Sequence, residues 1–254
     1  MHNRHKNMWR SHLVAIAYSY QQNSSPYLEL LKTTESFICP RDGEKWLDLG
    51  CGSGPLVRSI WKRCGGDVRV TAADLSAVAL LRAKESFREC LPSGWQKKID
   101  LVQADFSQGL GRLFRPNSFD GVVGGLCVAY AEHWDPLRKR WDDQAYVQLL
   151  KDVYLLLKTN GSFVFSSNVP GYSYWLLALK SWRQILLSWK LPLAIVVSSV
   201  MLYQSRWLRQ SASEGRFHYL PAEEIVDRLR SVGFRDIDYR LSYAGQAWVF
   251  RALK

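Results

Sequence analysis

Short apolar runs ending in an acid or glycine alternate along the chain with stretches whose apolar side chains recur every three to four positions. The first run, Trp46-Leu47-Asp48-Leu49, opens into Gly50-Cys51-Gly52-Ser53-Gly54. It reads as a buried strand entering a sharp turn, with a helix to follow over 54–64. Residues 68–74, Val-Arg-Val-Thr-Ala-Ala-Asp, read as a second strand ending in an acid. Helical spacing covers 76–91, with Ser76 as N-cap, and 142–157, with Asp142 or Asp143 in the capping position. Residues 8–37 read as mainly helical, with Trp9, Leu13, Ile16, Ala17 and Tyr20 at helical spacing. This alternation predicts an α/β fold with a mostly parallel, doubly wound sheet. Ligands of such a sheet bind at the carboxyl ends of its strands.

Between Pro170 and Ser213 the pattern changes. Aromatic and leucine side chains crowd residues 172–189, and Lys180, Arg183 and Lys190 share one helical face. Pro192 breaks the pattern, and 193–203 is almost wholly apolar. Neither half reaches the roughly 20 apolar residues that span a bilayer. The pattern predicts two helices and no transmembrane hairpin.

The glycine turn changes the picture from fold to chemistry. Without Cβ atoms, Gly50, Gly52 and Gly54 let the backbone lie against a ligand. Asp48 sets a carboxylate beside that bare backbone, which suits an ammonium better than a pyrophosphate. Asp74 lies about 20 positions past Gly54, where a ribose-binding carboxylate is expected. At these residues the chain resembles the class I S-adenosylmethionine-dependent methyltransferases, and among them the UbiE/type 11 group. Further segments carry the likeness. Residues 101–106, Leu-Val-Gln-Ala-Asp-Phe, are similar to the family's third motif, and 118–126 to its fourth strand. Residues 158–165 resemble its helix-turn-strand, with Thr159-Asn160 where the family writes Pro-Gly. The tail from His218 to Lys254 resembles its last helix and antiparallel strands, with Gly233-Phe234 at the turn.

The resemblance implies a single domain over 1–254 with a Rossmann-like seven-stranded sheet and helices on both faces. A helical cover would span 1–40, the cofactor core 41–170, a hydrophobic lid inserted after the fifth strand 171–215, and the last helix and strands 216–254. It implies S-adenosylmethionine as cofactor and S-adenosylhomocysteine as product. Asp48 and the backbone of Gly50, Cys51, Gly52 and Gly54 would hold the methionine end. Asp74 would accept from the ribose, with Leu75 packing nearby. Asp105 and Phe106 would frame adenine, and Gly125 and Leu126 would close the site beneath the sulfonium. The N-terminal cover would contribute a tyrosine, with Tyr18 and Tyr20 as candidates. Members of the group often carry Leu-His-Tyr after the fourth strand. Here Val128-Ala129-Tyr130 stands instead, which leaves His133 as the candidate base and His218 behind it.

Absences narrow the acceptor. No Asn/Asp-Pro-Pro-Tyr follows the fourth strand, which disfavours exocyclic-amine methylation of nucleic acid. Asp142, Asp143 and Asn168 offer hard oxygens, yet the two acids sit where a helix cap belongs, and no metal is expected. Five cysteines without metal-like spacing read as unpaired thiols in a reducing compartment. No segment reads as an export signal, so the cytoplasm is the expected location.

Charge adds one further constraint. The net charge is +11, and no Asp or Glu occurs over 1–28 or 153–213. The second gap coincides with the apolar insertion. Three readings of that insertion stay open: a lid with cations toward water, a lid over a lipophilic acceptor, and an interfacial helix pair on anionic lipid. The sequence reading is methyl transfer to a small, lipophilic or aromatic acceptor. An RNA methyltransferase and a non-catalytic cofactor-binding partner subunit stand as its alternatives.

Overall fold

The computed structural model describes residue 9, residues 21–186 and residues 191–254. In chain order the elements are α1 (Ser25–Phe37), β1 (Lys45–Leu49), α2 (Pro55–Arg63), β2 (Arg69–Asp74), α3 (Ala77–Cys90), β3 (Ile99–Gln103) and β4 (Phe119–Gly124). A small ribbon of β5 (His133–Asp135) and β6 (Arg140–Asp142) precedes α4 (Gln144–Leu156) and β7 (Leu157–Asn168). Then come α5 (Tyr174–Leu186), α6 (Leu191–Ser213), α7 (Ala222–Val232), β8 (Arg235–Ser242) and β9 (Ala247–Leu253).

Seven strands form one sheet in the order β3-β2-β1-β4-β7-β9-β8. The first five of these pair in parallel, and β9 runs antiparallel between β7 and β8. This is the Rossmann-like arrangement that the alternation predicts. Strand order reverses between β1 and β4, and a crevice opens there at the carboxyl ends. One apolar layer packs α4 and α7 against Phe119, Phe163, Phe165 and Phe250. On the opposite side, residues of α1, α2 and α3 pack around Trp46, Val70 and Val249. The register pairs Trp46 with Gly121, and a side chain at 121 would collide with the Trp46 ring.

Local signals place several boundaries. Ser76 Oγ accepts from Ala79 N at 3.3 Å and starts α3 as predicted. At α4 the cap is made by the earlier of the two candidate acids. Asp142 Oδ1 accepts from Gln144 N at 3.1 Å, while the side chain of the N-cap residue Asp143 makes no capping bond. Asn160 stands at φ 63°, and a Cβ on Gly161 would meet two carbonyl oxygens, so this turn needs its Asn-Gly pair.

Two helices follow β7, the fifth parallel strand, as the pattern predicts. The second is longer than its apolar stretch, running to Ser213 with Met201 and Leu208 buried two turns apart. Gly215 at φ 77° follows its end. Among the described residues no helix is long and apolar enough to cross a membrane. All five thiols are unpaired.

Candidate active site

The glycine turn is built by packing as much as by torsion. Gly50 (φ 62°) and Gly52 (φ 55°) take left-handed conformations. A Cβ on Gly50 would lie 2.5 Å from Cys127 Cβ, and one on Gly54 would enter the Phe87 ring. Gly54 therefore makes room for Phe87 of α3 and is not among the cavity's lining residues, although the resemblance assigned it to the cofactor. Cys127 is held by a 2.9 Å bond from Sγ to Leu49 O, and burial pushes its thiol well up.

The cavity lies over the ends of β1, β2 and β4. Asp48, Gly50, Cys51, Gly52, Asp74, Leu75, Asp105, Phe106, Gly125 and Leu126 all line it. Asp74 ties the turn down: Oδ2 accepts from Gly52 N at 2.9 Å and Oδ1 from Ser76 N at 2.8 Å. Burial raises its carboxyl, and these two bonds oppose the rise. Asp105 caps a short 3-10 turn, accepting from Ser107 N at 3.1 Å and from Gln108 Nε2 at 3.2 Å. Leu126 stands at φ 55°, a strained conformation for a leucine, with its N–H donated to Ser166 Oγ at 2.9 Å.

Asp48 differs from the other acids. It is 1% exposed, and neither carboxylate oxygen has a hydrogen-bond partner. Burial, with the Asp74 charge nearby, pushes its carboxyl well above the usual range. An unsatisfied buried carboxylate at a cavity wall calls for a cationic or donor-rich ligand. S-adenosylmethionine fits that demand: its ammonium matches Asp48, and the open glycine turn admits a close ligand.

Several lining residues lay outside the sequence reading. Gln22 and Tyr27 come from the N-terminal cover, and Ser53 Oγ donates to Gln22 Oε1. Tyr27 is half-buried, and desolvation beside Asp48 raises its hydroxyl far above the ordinary tyrosine value. Tyr20 and Tyr18 lie outside the described residues. Trp9, Tyr130 and Glu132 line the far end. Tyr130 packs against Trp9 with ring centroids 4.6 Å apart and the planes tilted by 41°, and its hydroxyl receives bonds from Asn168 Nδ2 at 3.1 Å and Tyr219 at 3.2 Å. Glu132 pairs with Arg216, whose guanidinium lies over Trp141 at 4.8 Å and Trp207 at 5.3 Å.

His133 does not line the cavity. Glu132, just before β5, faces the cavity, while His133 at the start of the strand turns away to β6, where Nδ1 meets Asp142 Oδ1 at 2.8 Å. His218 is buried against Tyr146, and burial lowers its pKa. Asp142, Asp143 and Asn168 have separate partners in His133, Arg228 and Tyr130. Among the described residues no cluster of acids, histidines and thiols could hold a metal ion.

Comparison with known proteins supports the methyltransferase reading. Residues 47–161 match the methyltransferase domain family. The match covers less than half of the chain, and the sheet order of the whole is that of the class I methyltransferase fold. The match is to the domain at large and does not single out the UbiE/type 11 group. Among solved structures, phosphoethanolamine N-methyltransferase 2 of Haemonchus contortus superposes with a TM-score of 0.62 at 19% identity, over 96% of this chain and 58% of that one. That structure holds phosphomonomethylethanolamine and S-adenosylhomocysteine. An S-adenosylmethionine-dependent methyltransferase of Mesorhizobium loti superposes at 0.56 with 17% identity, over 92% and 100% of the two chains. Among curated proteins, a tRNA1(Val) (adenine(37)-N6)-methyltransferase of Klebsiella pneumoniae is 40% identical over 62 residues, 24% of each chain. The small-subunit ribosomal RNA methyltransferase H of Rickettsia massiliae is 29% identical over 92 residues, 36% of this chain and 27% of that one. The chain thus spans about a quarter of the length of these curated relatives.

Proposed function

We propose that this methyltransferase domain transfers a methyl group to a small organic acceptor, lipophilic or aromatic in character, seated at the far end of the cavity. The observation that carries the reading is the buried, unpartnered Asp48 carboxylate beside the glycine turn. Bound there, S-adenosylmethionine supplies an activated methyl group on a good leaving group. The chain's own work is then to orient and to exclude water. Asp48 pairs with the ammonium. The N-terminus of α2, opening on the cavity at Pro55 and Leu56, suits the carboxylate of the same end. Asp74 keeps lone pairs for ribose hydroxyls beyond its two backbone bonds, and Asp105 and Phe106 frame the base.

The rings of Trp9 and Tyr130 suit an apolar or aromatic acceptor, with Tyr130 and Glu132 supplying oxygens for a hydroxyl or amine on it. Among the described residues neither helix after β7 lines the cavity, but Trp207 of α6 packs on Trp9 with ring centroids 6.1 Å apart, which sets the helix pair behind the acceptor end as its lid. Calorimetric titration of S-adenosylhomocysteine into wild type and Asp74→Ala, with methyl-group transfer assayed on phenols, quinols and amines, tests the reading. Micromolar binding that the substitution abolishes, with transfer to one of these classes, is the expected result. Failure of well-folded protein to bind would defeat it.

The RNA alternative keeps some support from the net charge of +11 and from the two RNA-methylating relatives. Against it stand the missing exocyclic-amine signature and an insertion that exposes apolar side chains. A steep salt dependence of tRNA binding would favour it.

A further inference from the structure

The two helices after β7 bury one side and leave the other unusually apolar. On α5, Leu177 and Ser181 are buried, while Trp175 (67% exposed), Leu176 (46%) and Leu179 (65%) face water. Trp175 and Leu179 lie four positions apart, as do Leu176 and the exposed Lys180. On α6, Met201, Gln204 and Leu208 are buried, while Tyr203 (69%), Arg206 and Arg209 are exposed. The helices pack on each other, and a hydrogen bond between Tyr174 and Ser198 sets the start of α5 against the middle of α6. No acid occurs anywhere over 153–213. Elsewhere the exposed charges are mixed, with ion pairs such as Lys98–Asp67 and Arg228–Asp143.

We propose that this outer face of α5 and α6 docks on an anionic lipid surface. Tryptophan, tyrosine and leucine suit the headgroup–acyl boundary, and cations beside them with no acid among them complement anionic headgroups. A second copy of the chain fits poorly, because a twofold contact would bring the same cations against each other. Nucleic acid would use the cations but leave Trp175 and Leu179 in water. The docking extends the proposed methyl transfer only in naming where a lipophilic acceptor is met, and its test needs neither cofactor nor acceptor.

The test is flotation with vesicles of phosphatidylcholine alone and of phosphatidylcholine with about a quarter phosphatidylglycerol, at low and high salt. Wild type is expected to float with the anionic vesicles only, and salt to release it. Trp175→Ser/Leu179→Ser and Lys180→Glu/Arg206→Glu alter exposed positions, so both should keep wild-type melting and S-adenosylhomocysteine affinity. Each is expected to lower the membrane-bound fraction at least tenfold. The proposal is overturned by wild type that does not float, by equal flotation with neutral vesicles, or by variants that float like wild type. It is also overturned by a dimer that the Ser pair dissolves, or by tRNA binding that the Ser pair leaves intact and that excludes vesicles. S-adenosylhomocysteine binding by the same preparation reports separately on the methyltransferase reading.

Discussion

Asp48 sits where a carboxylate is costly without a ligand. Because its folded pKa lies above the ordinary value of 3.8, stability is present at low pH and drains as pH rises from about 4 until the folded group loses its proton. Asn carries no such charge, so Asp48→Asn should melt increasingly above wild type over that interval, while losing S-adenosylhomocysteine. Thermal melts across the pH range read the first effect and calorimetry the second. A pH-independent gap would remove the desolvation argument. Binding has the complementary sign. An ammonium beside Asp48 favours its charged form, so binding should release a proton and affinity should rise with pH through the raised pKa. Titration in two buffers of different ionisation enthalpy counts that proton. At Gly50, Ala meets both a left-handed torsion and the Cys127 side chain. Gly50→Ala should cost stability by about 2 kcal/mol or more and abolish binding. Retained affinity would place the ligand elsewhere.

At the scale of elements, Arg216 links the exit of α6 to the β5–β6 ribbon. Its guanidinium is buried among Trp141, Trp207 and Phe217 and paired with Glu132. Removing one partner of a buried pair strands the other, at about 3 kcal/mol. Arg216→Met should therefore lower the melting temperature and speed hydrogen exchange in α5 and α6. Adding Glu132→Gln should recover part of the loss, and additive losses would show that the rings, not the pair, do the holding. The same elements mark how much could be read from sequence. Strand ends, the glycine turn and the cap at Ser76 were legible, because such geometries admit few residue types. The far end of the cavity was not. Trp9 comes from the N-terminal segment and Tyr130 and Glu132 from the stretch after β4, which only tertiary packing brings together. His133 fell on the outward position of a three-residue strand, and a shift of one residue reverses what faces the cavity.

The whole molecule is tied across its cofactor site. Gln22 bonds Ser53 in the glycine turn, and Gln21 bonds Tyr243 near the far edge of the sheet. Residues of the N-terminal cover thus reach both the first and the last units of the fold, and α1 packs on β8 and β9. A ligand filling the cavity binds the folded chain and not the unfolded one. At about a hundredfold excess over Kd it adds about 2.7 kcal/mol. For a chain of this size that corresponds to about 5–10 °C in melting temperature. S-adenosylhomocysteine should therefore raise a single, cooperative transition by that amount, with slowed amide exchange in Ser25–Phe37 as well as in the glycine turn. Asp74→Ala should lose the shift, since it frees the turn at Gly52 and gives up the proposed ribose acceptor together. Protection confined to the turn, with the cover unchanged, would mean that α1 packs on the sheet without closing the site. The cover would then be a structural helix, and the acceptor would enter from its side.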